Sequence, residues 1–307
     1  MRPAGCPPGG RPATSEPNAM ASRSIGFPAV PARTAALTLT ALIAFAANSV
    51  LARLALRSGA IDAASYTSIR LAAGALALAL LVMAGGRRPA GRGNWRGAFW
   101  LALYALPFSF AYLALSTGTG ALILFGVVQL TMIGTGIARG ERPARREWVG
   151  LAVALAGLLV LAGPGVSTPP AWAAALMAIA GVAWGAYSLR GRGAGDPLRE
   201  TAGNFVRSVA FAAPVLLLAR GGIHTSREGF LLAAASGALA SGCGYAIWYA
   251  ALPALTATRA AVAQLAVPAI AAAAGIALLG EPLTVRLVLS GCAILGGVAL
   301  AVTSGPR

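Results

Sequence analysis

The chain has no lysine and only eight acidic residues in 307, against twenty-four arginines. Histidine occurs once, at His224, and cysteine three times, at Cys6, Cys243 and Cys292. An odd set of widely spaced cysteines, two of them inside apolar runs, gives neither a disulfide frame nor a metal site. A lone histidine with no cysteine or carboxylate beside it in sequence gives no nucleophile–base pair, so an intramembrane enzyme has little to work with. Without lysine there is no phosphate-binding glycine loop of the Walker type, so ATP is not a direct energy source. Charged residues are 10% of the chain and hydrophobic ones 58%, with a mean hydropathy of +0.75. That balance excludes a soluble globular domain, which would lack the polar surface to cover such a core.

What the chain does have is long apolar runs. A bilayer core about 30 Å thick needs roughly 20 apolar residues per helix. That ruler yields ten candidate spans, at 35–56, 64–84, 97–116, 119–138, 148–164, 171–189, 201–219, 229–250, 257–279 and 284–302. The connections are short and leave no room for a soluble domain. Residues 1–33, rich in Pro, Gly and Arg, show neither helical nor strand period and read as a disordered tail. Met20 offers a second possible start. The first apolar run is too long for a secretory signal and lacks a small-residue cleavage site, so it reads as a membrane helix. The fold class expected is an all-α integral membrane protein.

The arginines lie on alternate loops. Four precede the first span; Arg87, Arg88, Arg92 and Arg96 occupy 85–96; Arg139, Arg142, Arg145 and Arg146 occupy 139–147; Arg190, Arg192 and Arg199 occupy 190–200. The intervening loops carry few or none. Positive charge gathers on the cytoplasmic side of membrane proteins. Both termini are therefore expected in the cytoplasm, and the formal net charge of +16 is explained without nucleic acid as a partner. A composition rich in Ala, Gly and Arg without lysine points to a bacterium with a G+C-rich genome, so the partners expected are the lipid bilayer of the bacterial inner membrane and a small-molecule substrate.

The chain also repeats itself. Arg53 and Arg190, Arg70 and Arg207, and Tyr112 and Tyr249 are each 137 apart; Glu141 and Glu281, and Gly157 and Gly297, are each 140 apart. The block TSIRLAAGALALALL aligns with NFVRSVAFAAPVLLL, and VGLAVALAGLLVLAG with LSGCAILGGVALAVT. An ordered series at nearly constant offset implies duplication with one small insertion. The halves are expected at 34–165 and 171–303. Each holds five spans, an odd number, so the second copy enters the membrane from the opposite side. Ten helices in two inverted five-helix repeats is a building plan of secondary transporters, which need inward-open and outward-open states of similar energy.

These features resemble the EamA-type branch of the drug/metabolite transporter superfamily. The likeness rests on Gly140-Glu141 and Gly280-Glu281-Pro282 ending the fourth and ninth helices, Arg70 and Arg207 early in the second and seventh, and Trp184-Gly185 in the sixth. It covers roughly residues 35–303. Departures are Ala47-Asn48 where that family often has Trp-Gly, and Gln129 near the position that matches Pro268. The resemblance implies a substrate path between the halves, alternating access, and export of small metabolites or drugs.

Polar and aromatic groups within spans are the candidates for that path. Asn48, Gln129 and Gln264 suit either interhelical hydrogen bonds, worth roughly 1 kcal/mol each, or substrate contact. Trp184 and Tyr187 share a face of helix six; Tyr245 and Trp248 share one on helix eight and read as one wall. Tyr112 belongs to the repeated series. Arg70 and Arg207 lie about six residues into their helices, roughly 9 Å from the end. That depth suits snorkelling to the interface, or binding of an anionic group, or a gate latched to Glu141 or Glu281. Pro268 is expected to bend helix nine, as Pro107 and Pro214 bend helices three and seven.

No Asp or Glu falls near the middle of a span, which disfavours exchange of a cationic drug for protons. The expected cargo is an amino acid or related neutral, zwitterionic or anionic compound, with export of drugs or toxic compounds as the alternative. A channel is the other alternative. No cofactor and no metal are expected. Gly181 and Gly185 serve packing within a bundle as readily as between chains, so monomer and homodimer both stay open.

Overall fold

The computed structural model describes residues 31–87, 93–138, 140, 145–162, 168–191, 195–219, 222–255 and 263–303. Among these the fold is helical, with one isolated bridge between Ile61 and Thr225. The helices are α1 (Ala32–Arg57), α2 (Ala63–Ala84), α3 (Trp95–Ala111), α4 (Thr117–Ala138), α5 (Arg145–Ala162), α6 (Ala171–Gly191), α7 (Pro197–Leu218), α8 (Arg227–Ala254), α9 (Ala266–Leu279) and α10 (Val285–Thr303). Six of them, α1, α2, α4, α6, α7 and α8, are long and apolar enough to cross a membrane.

Local chemistry sets where the helices begin. A helix start leaves backbone N–H groups without partners, and a side-chain oxygen can accept from them. Asp62 Oδ1 accepts from Ser65 N at 2.9 Å, Asn94 Oδ1 from Gly97 N at 2.7 Å, and Ser226 Oγ from Gly229 N at 3.0 Å. Asp196 accepts from Arg199 N at 3.3 Å, followed by Pro197 in the first turn, where a missing N–H is harmless. Helix α9 ends on Gly280 at φ 64°, the left-handed conformation that glycine adopts without strain.

Helix α8 is a composite. It is α-helical over Arg227–Ala235, π-helical over Ser236–Cys243, and α-helical again over Gly244–Ala251, closing in a 3₁₀ turn at Leu252–Ala254. The sequence reading placed one plain helix here. π segments widen the backbone locally and occur often at functional sites.

The helices pack in a set of pairs: α5 with α10, α2 with α7, α4 with α9, α3 with α6, α1 with α8, α4 with α6, α1 with α9, α3 with α7 and α2 with α8. Close approaches depend on glycine. A Cβ at Gly157 would lie 2.9 Å from Ala293 and Ile294 atoms on α10; one at Gly297 would lie 2.6 Å from the Ala154 nitrogen on α5. Large apolar side chains such as Leu76, Leu159, Leu239 and Leu278 project outward, more than half exposed. That outer surface suits lipid rather than water.

Residues 263 and 264 are helical, Leu265 forms a turn in right-handed helical conformation, and α9 resumes at Ala266, so the helical path is interrupted three residues before Pro268. Proline lacks the N–H that would bond the carbonyl four residues back, and its ring crowds that carbonyl, so a break at this point is of the kind expected from sequence. Pro107 and Pro214 lie inside α3 and α7.

Candidate functional site

Helices α1, α3, α6, α7 and α8 each contribute an aromatic ring to one buried cluster centred on Trp184. Its ring centroid lies 5.0 Å from Tyr104, 5.1 Å from Tyr245 and 5.8 Å from Tyr187, which stacks on it. Phe45 sits edge-on to Tyr245 and Trp248, at 5.8 Å from each, and Phe205 closes on Tyr245 at 5.7 Å. Edge-on and tilted pairs at these separations are the favoured geometries of aromatic contact. The cluster borders two small spaces. One, of about 10 Å³, is lined by Phe45, Asn48, Tyr104, Trp184 and Tyr245 among others. The other, of about 30 Å³, is lined by Met132, Trp184, Ser188, Trp248, Tyr249 and Gln264 among others. Such volumes hold about one or two waters, so in this conformation the aromatic region is closed around itself.

Beside the rings runs a polar network. Asn48 Oδ1 accepts from Ser236 Oγ at 2.8 Å and from Ser241 Oγ at 3.2 Å. Those serines are five apart, a spacing that would diverge on an α-helix of 3.6 residues per turn. On the π segment, with its i→i+5 bonds, they come to one face. Ser241 Oγ also receives a long bond from Arg70 Nε at 3.4 Å, and Arg70 Nη2 donates to the Tyr104 hydroxyl at 2.8 Å. The Arg70 guanidinium lies 5.1 Å from the Tyr104 ring centre and 4.7 Å from that of Phe108.

The placement of Arg70 corrects the snorkelling expectation. It is 2% exposed, among the largest fully buried side chains in the protein. Depth along the helix was read correctly, but neighbouring α3 and α8 enclose the side chain and block its way to the interface. Nor does it latch to a glutamate: among the described residues Arg70 makes no ion pair. Arg207 differs from its repeat counterpart. It is half-buried, and its Nη1 donates to its own helix at Gly203 O, 2.9 Å away.

A second polar cluster closes one end of α4. The Glu281 carboxylate accepts from Thr117 N at 2.9 Å through both oxygens, and from Thr117 Oγ1 at 3.1 Å. A carboxylate at a helix N-terminus is favoured by the helix dipole. Arg53 Nε lies 3.5 Å from Glu281, while Arg53 Nη1 donates to the Tyr112 and Leu113 carbonyls at 3.0 and 3.2 Å. Glu281 has little positive charge near it in sequence, yet the fold delivers Arg53 from α1. Tyr112 stands here and not at Trp184; its ring packs edge-on to Phe108 and its hydroxyl donates to Thr117 O at 3.4 Å.

The remaining sequence candidates are dispersed. Asn48, Trp184, Tyr187, Tyr245, Trp248 and Gln264 converge on the aromatic region, with Asn204 Nδ2 donating to the Tyr187 hydroxyl at 3.4 Å. Gln129 is 1% exposed on α4 and lines neither space. Glu141 lies outside the described residues. Sequence reasoning missed Tyr66, Tyr104, Ser236, Ser241, Thr117 and the pairing role of Arg53. A tyrosine one turn before Arg70 and the small-residue run SGALASGC were the available signals.

His224 forms no catalytic pair. Its ring nitrogens face the Gly222 and Gly59 carbonyls at 3.1 and 3.0 Å, and Asp62 Oδ2 accepts from the His224 backbone N–H at 3.0 Å. Burial pushes the Asp62 carboxyl up, and hydrogen bonds from Ser65 and His224 outweigh it, leaving the group below the usual carboxylate value. This loop joins the start of α2 to the start of α8. Among the described residues no cluster of His, Cys, Asp or Glu could hold a metal ion.

Long apolar helices around a closed polar and aromatic interior are the build of a multi-pass membrane protein. The model of the EamA-like transporter family matches residues 171–303, and the chain belongs to that family. It is 53% identical over 270 residues to the uncharacterized protein PA1977 of Pseudomonas aeruginosa, covering 87% of this chain and 94% of that protein. A protein of known crystal structure superposes with a TM-score of 0.62 over 87% of this chain and 99% of its own, at 21% identity. That last likeness concerns the fold alone.

Proposed function

We propose that this chain is a secondary transporter with ten spans in two inverted five-helix repeats, 34–165 and 171–303, exporting a small metabolite by alternating access. The cargo class is an amino acid or a related neutral, zwitterionic or anionic compound. The observation that carries this reading is a symmetry of contacts. Exchanging α1–α5 with α6–α10 turns α1 with α8 into α6 with α3, α4 with α6 into α9 with α1, and α2 with α8 into α7 with α3; all are observed pairs. The pairs α2 with α7, α4 with α9 and α5 with α10 map onto themselves.

The same exchange works at residue level. Gly157 faces Ile294 and Gly297 faces Ala154, and both 297 − 157 and 294 − 154 equal 140. Reciprocal contacts of this kind support a two-fold relation between the halves. The extent of the family match, 171–303, also coincides with the second proposed half. Two similar halves around one buried site suit alternation between two faces.

The closed aromatic region is the proposed substrate site, with Asn48, Trp184, Tyr187, Tyr245, Trp248 and Gln264 around it. The Glu281–Thr117–Arg53 cluster, with Tyr112, is the proposed non-cytoplasmic gate. Arg190, Tyr249 and Glu141 are its counterparts at the repeat offsets. Arginine-rich loops support cytoplasmic termini in a bacterial inner membrane. We read the protein as a carrier and not an enzyme because its family is one of transporters and the ring of its single histidine faces backbone carbonyls.

The test is uptake of a panel of labelled metabolites and drugs into liposomes carrying the purified protein. Slow, saturable flux of a metabolite, reduced by Trp184→Ala or Gln264→Ala with folding intact, is the expected result. Large single-channel currents would replace the carrier with a channel. Unchanged kinetics in both variants would remove those residues from the site.

A further inference from the structure

Arg70 is a buried cation that makes no ion pair among the described residues. Its Nη1 has no hydrogen-bond partner, nor does the Tyr245 hydroxyl, and both atoms are sealed from solvent. Arginine can only donate, and a phenol hydroxyl carries a proton to donate. The Tyr104 hydroxyl already accepts from Arg70, which leaves its own proton available. The phenols of Tyr66, Tyr104 and Tyr245 are the groups that surround the guanidinium electrostatically. The cluster therefore presents donors in excess and a full positive charge, next to the space lined by Asn48, Tyr104, Trp184 and Tyr245.

Packing alone does not account for this. An unpaired buried charge is among the most unfavourable arrangements in a protein, and buried polar atoms without partners call for a specific explanation. Contact with the faces of Tyr104 and Phe108 offsets part of the desolvation. It leaves Nη1 and the Tyr245 hydroxyl unused. The one buried carboxylate among the described residues, Glu281, is occupied by Thr117 and Arg53. What completes the cluster is an acceptor brought by the cargo.

We propose that the transported compound carries a carboxylate, received by Arg70 together with the Tyr104 and Tyr245 hydroxyls, while its apolar part lies against Trp184 and Phe45. This rests on the reading of the chain as a carrier. A planar carboxylate matches the fork of guanidinium donors better than a spherical ion does. Opening of the aromatic region must accompany entry, since the present space of about 10 Å³ is too small for any such compound. Arg70 is thereby a recognition residue enclosed by α3 and α8.

The experiment compares aliphatic and aromatic amino acids and 2-oxo acids with their primary amides, as ligands of the full chain in detergent and as cargo in liposomes. Binding is read by quenching of tryptophan fluorescence. The expected result is that at least one acid binds tenfold or more tightly than its amide and is transported. Tyr245→Phe is the discriminating variant, because its hydroxyl has no partner to lose in the structure. It should keep or raise thermal stability and weaken acid binding by about three- to tenfold, a step of up to about 1.4 kcal/mol. Arg70→Gln should abolish the preference for acid over amide, and Arg70→Lys should restore part of it. Should Arg70→Gln fail to fold, Tyr245→Phe decides alone. Equal binding of acids and amides, no acid bound at all, or unchanged acid affinity in Tyr245→Phe overturns the proposal. Flux that ignores the carboxylate removes this site and leaves the carrier; acid binding without flux removes the carrier and leaves the site.

Discussion

Replacing Glu281 by glutamine should loosen the proposed non-cytoplasmic gate without destroying the fold. The amide oxygen can still accept from Thr117 N, but the charge facing Arg53 at 3.5 Å is gone. Removing one partner of a buried ion pair costs about 3–5 kcal/mol when the other charge stays buried. Arg53 keeps its bonds to the Tyr112 and Leu113 carbonyls and its side chain is 14% exposed, which brings the expected loss to about 2 kcal/mol. That amount shifts a two-state equilibrium roughly 30-fold, enough to raise an open form from about 1% to about a quarter of the molecules. The assay is the labelling rate of Ser49→Cys, a residue beside the aromatic space, in a background with Cys6, Cys243 and Cys292 replaced by serine. A membrane-impermeant maleimide applied from the non-cytoplasmic side should react at least tenfold faster when Glu281→Gln is added. An unchanged rate in a folded variant refutes the gate.

Asp62→Asn should weaken the loop that ties α2 to α8. The folded carboxyl titrates below its unfolded value, so its stabilisation is present above about pH 4 and is lost as pH falls through the folded value. Thermal unfolding of the detergent-solubilised protein should thus show a difference between wild type and Asp62→Asn at pH 7 that shrinks toward pH 3. Gly297→Val should destabilise by about 1–3 kcal/mol or prevent folding, because a Cβ there would lie 2.6 Å from backbone atoms of α5. The repeat-related Gly157→Val should act in the same direction, also read by thermal unfolding. Ser236→Ala should reduce flux more than stability, since Asn48 keeps its bond from Ser241, and a matched loss of both would assign Ser236 to structure.

Much of the fold is written in the apolar runs, because a bilayer-crossing helix needs length and little else. The ends of α2, α4 and α6 fall within about two residues of the predicted spans for that reason. What periodicity could not reach were effects set by neighbours. Arg70 sits at a depth compatible with the interface, and only the arrival of Tyr104 on α3 and Ser241 on α8 makes it a buried group. Glu281 and Arg53 are 228 residues apart, so no local reading of charge could pair them. The π segment of α8 is invisible to a 3.6-residue period, yet it aligns the two serines on Asn48. The aromatic residues were more legible: Trp184 with Tyr187, and Tyr245 with Trp248, are spaced to share helix faces, and the fold brings Trp184, Tyr245 and Trp248 around Phe45, with Tyr187 stacked on Trp184.

The central claim is that one site is exposed to the two faces of the membrane in turn, and counterflow tests it most directly. Liposomes carrying the protein are loaded with unlabelled substrate and diluted into a trace of the labelled form. A carrier with alternating access predicts transient accumulation of label above its equilibrium level, diminished by Trp184→Ala and accelerated or uncoupled by Glu281→Gln. Label that only rises to equilibrium, at a rate indifferent to what is inside, would contradict the account.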